Sequence, residues 1–355
     1  MMKKTSLLVS AFSLCLGAAQ AEELKPSGWV ILPAIGSSPE TGFQYGVYAM
    51  HQFAQTAVGE PQDRLSFLLQ GTTKGQYQAN IQPDIFIAGG DWNLTGGLSG
   101  VYWPTPYYGQ SNEVDLDADE ESYKLTAFTA EAGAAYAVTP NLRLGGLAFV
   151  ESEDIEDDAG NTLLSEADLG FDGGLYVGLG LTASWDTTDD RDWPTRGTLA
   201  QAELRQYNVS LGSDYDYVLL QTAASQYFPI GSDVLALGVN YAYGNDETPF
   251  SRLPRPSGES SLRGADGNLW IGHQLFGLQT EYRMTLTERW ATTAFIDAAQ
   301  VADDADELAW DRFHTALGGG IRYATLAGSR FNVRADIALI DVESIGFTIS
   351  VGEAF

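Results

Sequence analysis

The sequence predicts an all-β chain folded as a 16-stranded antiparallel transmembrane β-barrel, and three observations predict it. Segments of about ten residues alternate apolar and polar side chains with period two, as strands do when one face meets lipid and the other a polar lumen. Only 19% of the 355 residues are charged, while 39 are Gly, 8 Trp, 17 Tyr and 16 Phe. No stretch after residue 21 approaches the run of about 20 apolar residues that a membrane helix requires. The last segment, 346 to 355, sets Phe347, Ile349, Val351 and Phe355 on one face and Gly346, Thr348, Ser350, Gly352 and Ala354 on the other. That is an apolar face for lipid and a small, polar face for the lumen. A soluble β-sandwich does not account for so many long strands of even spacing.

Lys3 and Lys4 precede an apolar run over 7 to 19, and Ala19-Gln20-Ala21 supplies the small residues of a cleavage site. Residues 1 to 21 therefore read as a secretory signal peptide and 22 to 355 as an outer-membrane barrel. The single cysteine, Cys15, lies in the leader, so the exported chain has no disulfide and no thiolate metal site. Nineteen Lys and Arg stand against 47 Asp and Glu, a net charge of −28. Such a balance excludes nucleic acid as a partner and suits a surface facing water and divalent cations.

Strands are expected near 28–36, 41–53, 63–72, 76–87, 91–103, 122–138, 142–151 and 171–186, then 197–208, 215–228, 234–244, 270–286, 289–301, 314–324, 330–340 and 346–355. The number is even, as in single-chain bacterial barrels. From a periplasmic N-terminus the connections 88–90, 139–141, 229–232 and 287–288 fall inside and are short. The long ones, 104–121, 152–170, 245–269 and 302–313, all fall outside, as barrel topology requires.

Acidic runs follow the same alternation. Asp115, Asp117, Asp119, Glu120 and Glu121 lie in one outer loop, Glu151, Glu153, Asp154, Glu156, Asp157 and Asp158 border or occupy the next, and Asp303, Asp304, Asp306 and Glu307 a third. Their spacing does not fit an EF-hand, so they read as solvated acidic faces with no metal. Trp92, Tyr102, Trp103, Tyr107, Tyr108, Trp185, Trp270 and Trp290 fall near strand ends and read as interfacial girdles.

The Gly/Pro-rich stretch 244 to 268 holds Ser260-Ser261-Leu262-Arg263-Gly264-Ala265. Leu262-Arg263-Gly264 resembles the [V/I]RG[F/Y] tip of the sixth extracellular loop in the BamA/TamA superfamily of outer-membrane assembly factors, also called the bacterial surface antigen family. Ala265 stands where that family has an aromatic residue. Asp190-Arg191-Asp192-Trp193-Pro194-Thr195-Arg196-Gly197 resembles the family's turn after strand eight, and Tyr227-Phe228-Pro229-Ile230-Gly231 its turn after strand ten. Phe295-Ile296-Asp297-Ala298-Ala299 and Gly320-Ile321-Arg322-Tyr323 resemble its strands thirteen and fourteen.

The resemblance implies that Arg263 folds into the lumen and meets Asp297. Physics favours such a pairing, because a desolvated guanidinium needs a carboxylate partner. Glu281 alternates onto the lumen face of the preceding strand and is a second candidate partner. Gly264 allows a tip conformation closed to residues with a Cβ. The ending on Phe355, with Phe347, Ile349 and Val351, resembles the C-terminal signal by which such barrels are recognised for assembly, and Glu353 is expected near the periplasmic interface.

Family members that assemble proteins carry periplasmic POTRA domains, whereas only residues 22 to 27 separate the cleavage site from the first strand here. The resemblance is therefore to barrel-only members. The family also uses the seam between first and last strands as a lateral gate. Pro33 removes a ladder donor from strand one, and Gly346 and Gly352 soften the opposing strand, although Pro33 equally fits a strand end shaped near the surface.

The expected function is a non-catalytic role in outer-membrane biogenesis, in which outer-membrane proteins or lipids are handled at that seam. A passive channel is the alternative, and a membrane lipid hydrolase a weaker one. His51, His273 and His314 are scattered, and G-x-S-x-G, H-E-x-x-H and P-loop motifs are absent. Expected partners are outer-membrane lipid, the assembly machinery for the chain's own insertion, and unfolded outer-membrane protein clients or a separate periplasmic partner. No cofactor is implied.

Overall fold

A computed structural model describes residues 27–38, 41–57, 60–114, 121–157, 162–256, 258, 261–325 and 330–355. The expected signal peptide, Cys15, Asp115, Asp117, Asp119, Glu120, Asp158 and Ser260 lie outside the described residues. The strands are β1 (Gly28–Ser38), β2 (Gly42–Gln52), β3 (Arg64–Thr72), β4 (Tyr77–Ile87), β5 (Trp92–Tyr107), β6 (Glu121–Thr139), β7 (Leu142–Asp157) and β8 (Gly173–Asp186). They continue as β9 (Gly197–Tyr207), β10 (Tyr217–Ile230), β11 (Asp233–Gly244), β12 (Gln274–Thr285), β13 (Trp290–Ala302), β14 (His314–Ala324), β15 (Asn332–Ile340) and β16 (Ser344–Val351). Each pairs antiparallel with its sequence neighbours in one 16-stranded sheet.

Period two governs which side chain meets lipid. In β2, Phe43, Tyr45 and Val47 are exposed on the outer face while Met50 is buried inside. In β13, Ala291, Thr293, Phe295 and Asp297 are buried and Ile296 is exposed. Neighbouring strands satisfy the backbone of every interior strand, which is what allows polar peptide groups to cross a hydrocarbon layer.

Several expectations need correction. β5 runs on through Pro104 and Pro106, which lie opposite Lys124 and Ser122 of β6. Its pairing with β4 begins only at Tyr102, so beyond that residue β5 has one neighbour, and a proline costs no second ladder bond. β7 likewise continues to Asp157, with Phe149, Glu151, Glu153 and Ile155 buried and the intervening residues exposed. Glu151 and Glu153 are thus lumen residues rather than part of a solvated loop face.

The aromatic expectation also divides. Trp92, Tyr102, Trp185 and Trp290 are exposed on the outer wall, but Tyr107 and Trp270 are buried in the lumen, and Trp103 lines an internal cavity. The C-terminus departs most. β16 stops at Val351, and Gly352, at φ +77°, turns the chain inward. Phe347 keeps the outer face, Ile349 and Val351 are half-buried, and Phe355 turns away, its main-chain oxygen accepting a hydrogen bond from Arg283 Nη2 at 2.8 Å. Glu353 turns inward with it and accepts from Arg322 Nε and Asn332 Nδ2, each at 2.8 Å, near the ends of β14 and β15.

β1 and β16 lie side by side, yet among the described residues no ladder joins them. At the periplasmic end, buried Val30, Met50 and Phe331 pack with Leu32, Tyr48 and Val351 across this seam. Apolar contact there takes the place of hydrogen bonding.

Candidate functional site

The connection from β11 to β12, residues 245–273, folds back into the barrel. A short 3-10 turn, Phe250–Arg252, starts the descent. Phe250 packs edge-on against Tyr107 and Tyr123, with ring centroids 5.6 and 5.5 Å away. Arg252 then reaches β7, its Nη1 2.6 Å from Glu151 Oε2 and its Nη2 2.9 Å from Glu153 Oε1. Ser251 Oγ donates to Glu153 at 2.8 Å, and the guanidinium lies 4.8 Å from the Tyr176 ring centre. Neither acid was legible as a partner from sequence, because both sit in an acidic run.

Eleven positions later, Arg263 anchors the loop to another part of the wall. Its Nε and Nη2 donate to the two oxygens of Asp297, each at 2.7 Å, and its backbone N–H donates to Asp297 Oδ2 at 3.1 Å. Nη1 bonds Glu281. The guanidinium carbon stands 3.5 Å from the centre of the Phe295 ring. Arg263, Glu281 and Asp297 all have 0% exposure. The paired geometry compensates desolvation that would otherwise cost several kcal/mol per charge.

The charges extend along β12, β14 and β15. Arg283 Nε lies 2.7 Å from Glu281, Arg322 Nη2 3.2 Å from Glu281 and Arg334 Nη1 3.1 Å from Asp336. Arg322 also meets Asp336 and Glu353. Arg263, Arg283, Arg322 and Arg334 thereby balance Glu281, Asp297, Asp336 and Glu353 in a connected, neutral lattice. Of these, sequence reading singled out Arg263, Glu281 and Asp297 as a set. The rest alternate onto lumen faces and were findable by period, but their mutual distances depend on register.

The loop tip touches β16. Gly264 sits at φ +86° and its N–H donates to Gly258 at 2.9 Å. A Cβ on Gly346 would collide with the Gly264 carbonyl, and Thr348 Oγ1 donates to the Gly258 carbonyl at 3.3 Å. Gly346 therefore permits close approach of loop and strand rather than softening β16, and Gly352 ends that strand rather than lying in it. Leu262 is fully buried and Ala265 nearly so. Pro33 faces outward on β1 opposite Val47.

Both mouths are obstructed. On the outside, the loop after β5 crosses to β13 and β14: Asn112 Oδ1 accepts from Val301 N–H at 2.7 Å, and its Nδ2 donates to Arg312 O at 2.9 Å. On the inside, the turn 187–196 reaches the opposite wall. Arg64 of β3 grips Asp192 through two bonds of 2.8 Å, Arg191 pairs with Asp84 of β4, and Trp193 is buried with Arg283 over its ring at 5.1 Å. Among the described residues no group of three or more His, Cys, Asp or Glu could hold a metal.

Comparison with known proteins places this architecture. An Omp85 superfamily domain matches residues 78–355. Among curated proteins none matches the chain. Of solved structures, BamA from Haemophilus ducreyi lacking POTRA domains 1-3 is similar with TM-score 0.60 and 16% identity, over 91% of this chain and 68% of that one. CdiB from Acinetobacter baumannii has TM-score 0.57, 11% identity and coverage of 91% and 59%; CdiB from Escherichia coli has 0.57, 12%, 91% and 61%. At such identities the likeness is one of fold, and this chain spans less than two thirds of either CdiB chain. The matched domain over most of the sequence shows that the chain belongs to the Omp85 superfamily.

Proposed function

We propose that the chain, exported by its N-terminal signal, acts in outer-membrane biogenesis by admitting an outer-membrane protein or lipid at the β1/β16 seam. The observation that carries this reading is the seam itself, which lacks a ladder and is held from within by a loop tip resting on Gly346 and Thr348. Backbone groups at an unjoined edge are a template for another strand, and Arg263 fixes the loop that backs that edge. A passive channel is the weaker reading, because loops cross the outer mouth and the 187–196 turn crosses the inner one.

The test is purified chain in lipid vesicles, scored for faster folding of an unfolded outer-membrane protein and for lipid scrambling. Gly36 and Thr348, from the two seam strands, line one cavity, so a Gly36→Cys/Thr348→Cys pair can be bridged by a short bismaleimide. The exported chain has no other thiol. Acceleration abolished by the bridge and by Arg263→Ala supports the proposal. Full activity with the seam bridged, or steady high conductance with no effect on folding or lipid, contradicts it.

A further inference from the structure

A cavity of about 450 Å³ lies behind the outer half of the seam, within the size range of about 300–1,000 Å³ typical of small-molecule sites. Thr348, on the lumen face of β16, lines it together with Phe347 and Ile349 from the outer face of the same strand. Gly36 of β1 lines it as well, so the cavity adjoins both strands of the seam.

Its inner wall is uncharged and rich in amides. Gln78 Nε2 donates to Gln70, Gln70 Nε2 to Gln44 Oε1 at 2.7 Å, and Gln44 Nε2 to Thr41 Oγ1 at 2.8 Å. Each amide offers two N–H groups and two lone pairs, so the row keeps donors and acceptors in excess of its internal bonds. Trp103 adds an aromatic surface, and the one charged residue among the described lining is Arg255. Arg255 bonds three carbonyls and Asn268 Oδ1, and no described carboxylate pairs with it. In a chain of net charge −28, a cavity with a cation and no acid among its described lining residues favours a hydroxylated, anionic group.

We propose that this cavity binds a phosphorylated glycolipid of the outer leaflet. Sugar hydroxyls meet the glutamine row and Trp103, a phosphate meets Arg255, and the acyl chains leave between β1 and β16 over Phe347 and Ile349. The proposal deepens the function given above and rests on its reading that the seam opens to the membrane.

The test is lipid retention by the full chain in nanodiscs, read by native mass spectrometry. Lipopolysaccharide is set against phosphatidylglycerol, and deacylated lipopolysaccharide oligosaccharide is the soluble competitor. Lipopolysaccharide is expected to be retained preferentially, to resist that competitor, and to lose about tenfold in affinity in Gln70→Leu/Gln78→Leu, the effect of one to two lost hydrogen bonds. Thr222→Val, in the neighbouring cavity that shares Arg255 but none of the glutamine row, should change nothing. Should the double variant fail to fold, Gln78→Met at the end of the row is read in its place. Equal retention of the two lipids, an unaltered affinity in the glutamine variant, or equal binding of the deacylated oligosaccharide overturns the proposal. Client insertion on the same samples separates the two readings: insertion that persists without lipid selectivity sinks only the glycolipid site.

Discussion

The wall formed by β12 to β15 and the seam between β1 and β16 are closed by different forces. In the wall every strand has two hydrogen-bonded neighbours, and four arginines interlock with four carboxylates on its inner face. At the seam no ladder runs between the strands, and Val30, Met50 and Phe331 hold the periplasmic end by apolar packing. Directional bonds fix a register, whereas apolar contact is non-directional and tolerates sliding. The comparison teaches that a barrel can concentrate its rigidity on one side and leave an edge on the other, with a single loop joining the two through Arg263 and Gly264.

The largest expected effect breaks the rigid side. Arg263→Ala leaves Glu281 and Asp297 buried without their shared cation and should cost about 3–5 kcal/mol, as removal of one partner from a buried pair does. Urea titration of the heat-modifiable gel shift measures it. Arg263→Asp with Asp297→Arg should recover part of the loss if the pair acts as a unit, and no recovery would deny the pairing a role.

The next effect sharpens the seam. Met50→Ala removes a buried side chain from the apolar closure and should cost about 2 kcal/mol, the low end for such truncations. It should raise cross-linking between β1 and β16 cysteines while leaving protection of β12 and β13 amides unchanged. Equal loosening of both regions would show that they are not independent.

The smallest effect concerns the inner turn. Burial raises the Asp189 pKa, but hydrogen bonds from the Thr195 hydroxyl and from the N–H groups of Thr195 and Arg196 outweigh it, so the carboxyl lies below its ordinary 3.8. A depressed carboxyl contributes stability above its unfolded value and loses it as pH falls through the folded one. Protection of the Thr195 and Arg196 amides should therefore hold from about pH 7 to about pH 5 and fall only below the ordinary carboxylate range. Loss of protection already near pH 6 would assign the ordering to another group.

Much of this architecture was legible because lipid forces alternation. All sixteen strands are visible where one face must be apolar, and Arg263, Asp297 and Glu281 are visible through motif and period. Alternation fails as a guide above the membrane. There β7 exposes Asp154 and Glu156 on one face and buries Glu151 and Glu153 on the other, so both faces are acidic and the strand reads as loop. The two acids make sense beside partners distant in the chain, Arg252 for both and the Tyr207 hydroxyl for Glu151. Phe355 was misplaced for a related reason: its inward turn depends on a positive φ at Gly352 and on Arg283, neither of which alternation encodes. The bond from Arg64 to Asp192 spans the barrel floor and is likewise a product of closure rather than of local pattern.

The most direct test of the central contrast is amide hydrogen exchange of the chain in nanodiscs, resolved to β1, β16 and the β12 to β14 wall. Fast exchange in β1 and β16 beside slow exchange in β12, β13 and β14, with the wall's protection lost in Arg263→Ala, is the predicted result. Uniform protection around all sixteen strands would mean that the seam is closed by hydrogen bonds and would contradict the account.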